Sequence, residues 1–253
     1  MKNMLKEKLS NGANAIGPFM KLPSPAVVEI AGLAGFDYII IDCEHGPLNM
    51  LQAENMVRAA HLANISAVIR VGENNSNMIS RALDIGADAV QIPQISTKED
   101  AIKAIKSSKF MPLGERGVCK YVRAAGYSSL DKSHYFNIAN KETLVIIHIE
   151  GMEGIRNLDE ILEVEGIDVI FIGPYDLSQS LGIPGEINDI KVENKIKEVV
   201  DKVKRKNKIV GTFVDDLEMA NKWSSYGVQY ISYSVDVGII YDSFKKITKK
   251  FHV

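Results

Sequence analysis

The chain has 253 residues, 46% of them hydrophobic and 25% charged, with a formal net charge of -2. That length fits one α/β barrel or two smaller domains, with room for a sizeable core. The near-neutral balance without a basic stripe argues against a nucleic-acid partner, and no stretch reaches the roughly 18 apolar residues that a membrane span needs.

Two cysteines, Cys43 and Cys119, are too few for a disulfide framework, and residues 1–12 are polar and Lys-rich, unlike a signal peptide. A reducing cytoplasm is the expected setting. From there to the end, β-rich runs alternate with helical patterns. The predicted strands are 15–20, 37–42, 67–71, 89–92, 143–149, 168–172, 209–214 and 229–232. Amphipathic stretches follow them: Leu51, Met56, Val57, Ala60 and His61 share one helix face, as do Val192, Ile196, Val199, Val200 and Val203. Four phrases share one form, beginning at Gly35, Gly86, Gly166 and Gly227. Each puts Gly after a helix and a strand just beyond, the left-handed close of an αβ turn.

Eight strands separated by helices imply parallel pairing through right-handed crossovers. Eight such units in this length make a (β/α)8 TIM barrel, read as a single domain over 1–253. A doubly wound open sheet is the alternative, but no G-x-G-x-x-G follows a strand and there is no P-loop. The stretch 110–140, rich in Gly, Arg and Tyr, is expected to be a long irregular loop of functional use.

In such a barrel the C-terminal ends of the strands carry the site. The second strand is the plainest case: Ile39-Ile40-Ile41 runs into Asp42-Cys43-Glu44-His45 and stops at Gly46-Pro47. Cys43 alternates to the opposite face and should only pack. The other tops offer Arg70; Gln91, Pro93 and Gln94; His148 and Glu150; Gly173-Pro174-Tyr175-Asp176; Asp215 and Asp216; and Asp236. Lys21 is the one lysine at a predicted strand top, which argues against Schiff-base chemistry. Glu150 and Asp176 suit a hard divalent cation such as Mg²⁺ or Mn²⁺, and oxygen ligands also admit Co²⁺ or Zn²⁺. Arg70 suits an anionic substrate or a developing oxyanion. Each residue has a structural alternative: Asp42 as a turn cap, Arg70 as an ion-pair partner, Glu150 at a helix start, Asp176 as an N-cap.

The segments Pro23-Ser24-Pro25, 37–47, Arg81–Asp88 with Gln91-Ile92-Pro93, and 171–185 resemble the HpcH/HpaI aldolases, metal-dependent class II pyruvate aldolases related to the citrate lyase β subunit. The resemblance covers nearly the whole chain in order. It implies a lyase that cleaves a 4-hydroxy-2-oxo acid reversibly to pyruvate and an aldehyde through a metal-stabilised pyruvate enolate, in aromatic-compound or sugar-acid breakdown. Glu150 and Asp176 would bind the metal. Arg70 would stabilise the enolate. His45, paired with Asp42 and working through a water, would move the proton. Glu44 would stand one step back, bonded to water on the metal. The backbone around Gly173-Pro174 would contact the pyruvate carboxylate. A homo-oligomer, hexamer or trimer, is implied, with the helix after Asp236 available for subunit contacts.

Two positions depart from the family pattern. His148 stands where the family usually has Gln; it would take over that hydrogen-bonding role, with a third metal ligand or a second proton carrier as alternatives. Tyr175 stands where a small residue is expected and would narrow the substrate pocket. A citramalyl- or malyl-CoA type lyase and a non-catalytic 2-oxo-acid-binding barrel are the competing functions.

Overall fold

The alternation of strand and helix closes on itself in a computed structural model that describes residues 2–251. The strands are β1 (Ala15–Met20), β2 (Tyr38–Asp42), β3 (Ser66–Arg70), β4 (Ala89–Ile92), β5 (Leu144–Ile149), β6 (Val169–Ile172), β7 (Ile209–Val214) and β8 (Tyr230–Val235). They pair in parallel in chain order, and β8 returns to β1, giving a (β/α)8 barrel. The helices are α1 (Met4–Ser10), α2 (Pro25–Leu33), α3 (Met50–Leu62), α4 (Ser76–Asp84), α5 (Lys98–Ser108) and α6 (Lys132–Glu142). They continue as α7 (Met152–Arg156), α8 (Leu158–Ile161), α9 (Pro174–Ser180), α10 (Ile190–Arg205), α11 (Leu217–Tyr226) and α12 (Asp236–Phe251).

Side chains on a strand alternate between faces, so each strand feeds two cores. Ile39, Ile41, Ile69, Val90, Ile147, Ile149, Ile170 and Ile172 pack outward into the layer beneath the helices. Tyr38, Ile40, Val68, Ala89, Ile146, Phe171 and Tyr230 fill the barrel interior. Continuous apolar runs such as Ile39-Ile40-Ile41 follow from this burial on both faces. The four repeated turn glycines, Gly35, Gly86, Gly166 and Gly227, have φ of +94°, +92°, +90° and +104°, the left-handed geometry that the repeated phrase predicts.

Three segments differ from the sequence reading. The polar start contains α1, whose Leu5 and Leu9 are buried at the foot of the barrel interior. The 110–140 stretch is only partly irregular: it holds a 3₁₀ segment, Arg123–Ser128, and most of α6. Asp131 caps α6 by accepting the His134 N–H, and Tyr135, Phe136 and Ala139 pack on Phe110. Strand β8 also runs three residues further than expected, to Val235. The single-domain reading over 1–253 includes Met1, His252 and Val253, which lie outside the described residues.

Candidate active site

The interior alternation ends in a polar top layer. On β2, β3, β4 and β5 the last inward positions are Asp42, Arg70, Gln91 and His148, all buried. Register sets the first contacts: Asp42 is the Cα partner of Arg70, and Arg70 of Gln91. Arg70 Nε and Nη2 donate to Asp42 Oδ1 and Oδ2 at 2.9 and 2.7 Å. Its Nη1 lies 3.1 Å from Glu44 Oε2, and its guanidinium sits 4.7 Å over the Phe19 ring. Burial alone would raise the Asp42 carboxyl, but Arg70 and the two N–H groups of the turn hold it below the usual carboxylate range.

Those two N–H groups belong to Glu44 and His45, each donating to Asp42 Oδ1 at 3.1 Å. Asp42 therefore caps its own turn and clamps Arg70. The expected pairing of its carboxylate with the His45 imidazole is not seen, because that carboxylate points into the barrel and its acceptor positions are taken. The imidazole lies at the mouth, 60% exposed, with Nε2 3.8 Å from Glu44 Oε2. Cys43 faces away and packs against the outer core; burial pushes its thiol up to about 11.

Glu150 and Asp176 meet across Gly173. A Cβ on Gly173 would lie 3.3 Å from Asp176 Oδ2, 3.3 Å from Glu150 Cγ and 3.6 Å from Glu150 Oε1. Glycine thus leaves a cradle between two carboxylates. Gly173 caps α9 without a side-chain bond and Pro174 fills the first turn, so Asp176 is not the N-cap. Glu150 Oε1 accepts from His148 Nδ1 at 2.5 Å, and Oε2 from the Gln94 N–H at 3.0 Å. Gln94 holds that N–H in place from a left-handed backbone, φ +57°, a strain of the kind that active sites retain.

The charges oppose one another. Burial would raise Glu150, but the His148 imidazole and the Gln94 N–H bring it below its ordinary value. Burial and then the Glu150 charge raise Asp176. Glu44 is also raised, by burial first, with Glu150 working against Arg70, and its buried Oε2 pairs with Arg70 Nη1 by charge but accepts no aligned hydrogen bond. Two hard oxygen donors and a third acid nearby, held together at a repulsive cost, fit a divalent cation. Among the described residues no three His, Cys, Asp or Glu side chains form a closed metal cage. Mg²⁺ is commonly held by one or two carboxylates, with its other positions left to water and substrate.

The remaining strand-top residues are structural or sit at the rim. Asp236 accepts the N–H groups of Lys21 and Leu22 at 3.0 and 2.9 Å. Asp216 caps α11. Tyr175 donates to Asp215 Oδ2 at 2.8 Å and sets its ring edge-on to Phe213. Burial and then Asp215 push its phenol up to about 12. Lys21 Nζ is 3.8 Å from Asp42 Oδ2. His148 is buried and spends both ring nitrogens on protein partners, Gln91 and Glu150, so it has no free nitrogen turned to a substrate or metal. Gln91 and Gln94 are strand-top candidates in the sequence with no role attached, whereas nothing in the sequence marks Phe19 or Tyr230 as part of the site. Alternation along the strand sets Gln91, a polar residue, at an inward position.

A family model described as HpcH/HpaI aldolase/citrate lyase matches residues 15–242. A 2-keto-3-deoxy-L-rhamnonate aldolase of Salmonella gallinarum is 34% identical over 237 residues, covering 93% of this chain and 88% of that protein. A solved HpcH/HpaI aldolase/citrate lyase family protein from Burkholderia cenocepacia J2315 superposes with a TM-score of 0.94 at 30% identity, over 100% of both chains. The HpcH/HpaI aldolase from Desulfitobacterium hafniense DCB-2 gives 0.93 at 30% identity, over 98% of this chain and 96% of that one. With a barrel that matches these structures and acids and a guanidinium gathered at its mouth, the chain belongs to the HpcH/HpaI aldolase/citrate lyase family and is a lyase of the aldol-cleaving kind.

Proposed function

We propose that this lyase cleaves a 4-hydroxy-2-oxo acid reversibly to pyruvate and an aldehyde, with a divalent cation held by Glu150 and Asp176. The observation that supports this reading best is the cradle above Gly173, where the two carboxylates converge beside a guanidinium fixed by Asp42. Mg²⁺ or Mn²⁺ is the first choice for such donors, with Co²⁺ or Zn²⁺ as substitutes. When bound, the cation would supply Lewis-acid charge to the carboxylate and keto oxygens of a 2-oxo acid.

The protein's own groups then divide the work. Arg70, clamped through Nε and Nη2, has Nη1 3.1 Å from Glu44 Oε2, and that nitrogen's two N–H groups would be shared between Glu44 and the oxygen on which charge develops as the C3–C4 bond breaks. His45, exposed at the mouth, takes the proton of the 4-hydroxyl through a water and returns it in condensation. Glu44, beside both Arg70 and His45, would bond a water of the site. The backbone around Gly173-Pro174 would contact the pyruvate carboxylate. Tyr175, tied to Asp215, closes the β6–β7 side of the mouth and limits the aldehyde.

The partner is a second copy of the chain. Val237, Tyr241, Phe244 and Ile247 form an exposed stripe along α12, 42–65% accessible, and Ile30 and Leu33 are exposed on α2 at 61% and 86%. Apolar stripes of this kind mark interfaces, and the two patches on one chain suit mutual burial in a trimer or hexamer. Among the described residues no helix is long and apolar enough to cross a membrane, and the cytoplasm is the proposed place of work.

The test is deuterium exchange into the methyl group of pyruvate in D₂O with added Mg²⁺ or Mn²⁺. Exchange that depends on the cation supports the reading. No exchange with any divalent cation would sink it.

A further inference from the structure

A chain of buried polar side chains leads from the middle of the barrel to the site. Tyr230 and Gln91 have no accessible surface and His148 has 1%. The Tyr230 hydroxyl donates to Gln91 Oε1 at 3.1 Å, Gln91 Nε2 meets His148 Nε2, and His148 Nδ1 meets Glu150 Oε1 at 2.5 Å. Below them the Tyr38 hydroxyl is spent on the Ile231 carbonyl at 2.6 Å, so it does not compete for Gln91. Phe171 stacks on the His148 ring at 4.4 Å and fixes its plane.

Polar groups in such a place are costly unless each has a partner. Here the direction of every bond follows from one end. An ionised Glu150 can only accept, so the imidazole donates from Nδ1. In the neutral ring Nε2 then carries a lone pair and needs a donor, which is the amide nitrogen of Gln91. That orientation turns the amide oxygen toward Tyr230, whose hydroxyl supplies a proton to it. Reversing the amide would set its oxygen against the His148 lone pair and leave Tyr230 without its acceptor.

We propose that Tyr230 and Gln91 are positioning residues for Glu150, acting through the Nδ1–H tautomer of His148. Neither touches substrate. With the Gln94 N–H on Oε2, the chain holds both oxygens of Glu150, and Oε1 lies 3.6 Å from where a Gly173 Cβ would stand. Carboxylates that hold a metal lose roughly 10- to 100-fold in affinity when such supports are removed. The part of the inference that concerns the cation rests on the role proposed for Glu150. The tautomer does not.

Two measurements on the full-length protein test it. Long-range ¹H–¹⁵N spectra of ¹⁵N-histidine-labelled protein, with His148 assigned by its loss in His148→Gln, should show the Nδ1–H tautomer. An Nε2–H tautomer would overturn the proposed chain whatever the protein binds. Mn²⁺ affinity, read by electron paramagnetic resonance, should fall about tenfold in Tyr230→Phe, which keeps the ring packing on Tyr38 and Phe171. The same change made on the His148→Gln background should cost less than twofold, because the link is already cut. Equal losses on both backgrounds, or none on the native one, would remove Tyr230 from a positioning role. A native protein that binds no Mn²⁺ would overturn the cation reading and the affinity arm with it, while the spectra would still decide the chain.

Discussion

Asp42 grips Arg70 through both carboxylate oxygens, and the two residues are register partners on β2 and β3. A guanidinium held at Nε and one terminal nitrogen keeps the other terminal nitrogen in a fixed direction, which a lysine ammonium cannot reproduce. Arg70→Lys should therefore lower the pyruvate exchange rate by about 100-fold or more, the usual loss for one preorganised oxyanion donor. A rate within threefold of the native one would show that the oxyanion is stabilised elsewhere.

The same pair sets an acid limit on stability. Arg70 and the turn N–H groups hold the buried Asp42 carboxyl below its ordinary value. A depressed carboxyl adds stability above its unfolded pKa of about 3.9, and that addition is lost as pH falls through the lower folded value. Denaturant unfolding of the native protein and Asp42→Asn should differ by a constant amount above about pH 5 and converge below about pH 4. A difference that stays constant down to pH 3 would contradict the assignment.

Much of this arrangement is legible in the residues themselves. Three consecutive isoleucines buried on both faces, followed by Asp42 and Glu44, announce a barrel strand that ends in a site. Local signals served for strands and turns because alternation and the glycine at the end of an αβ turn need only a few neighbouring residues. What escaped depended on distant partners. The two leucines of α1 are a weak helical pattern until the barrel floor receives them. The polar chain from Tyr230 to Glu150 joins β8, β4 and β5, and no spacing along the chain shows it. The spacing of Asp42 and His45 does not show that the turn folds back on itself: Asp42 takes the backbone N–H of His45, not the imidazole.

Gly173 makes room for the two acids. An added methyl would sit 3.3 Å from both the Glu150 side chain and Asp176 Oδ2. Gly173 has φ -85°, which alanine adopts without strain, so Gly173→Ala should fold. Calorimetry should show Mn²⁺ bound at least about tenfold more weakly, as for the loss of other supports of a metal ligand. Unchanged Mn²⁺ affinity would place the cation away from this cradle.

Proton transfer and cation binding should separate by mutation. His45 is exposed and bonds neither Glu150 nor Asp176. His45→Ala should cut aldol turnover by roughly 100-fold, within the usual range for a general acid–base, and leave Mn²⁺ affinity within twofold. Asp176→Ala should abolish both. Equal loss of Mn²⁺ binding in the two variants would contradict this division of roles.

The exposed stripe on α12 predicts that assembly depends on it. Phe244 is 65% accessible and Tyr241 60%, so charge at either position costs the isolated subunit little. Light scattering should show the native chain as an oligomer and the Tyr241→Glu, Phe244→Glu double variant as a monomer with unchanged far-ultraviolet circular dichroism. An assembled double variant would place the interface on another face.

The return of β8 to β1 bears on how errors spread. In an open sheet an outer strand can slip by one residue at local expense. In a ring, a slip has to be absorbed by every neighbour in turn. A one-residue slip of β3 would swing Arg70 from the lumen to the helix side and part it from Asp42. Closure therefore protects the alignment of Arg70 with Asp42 at the strand ends.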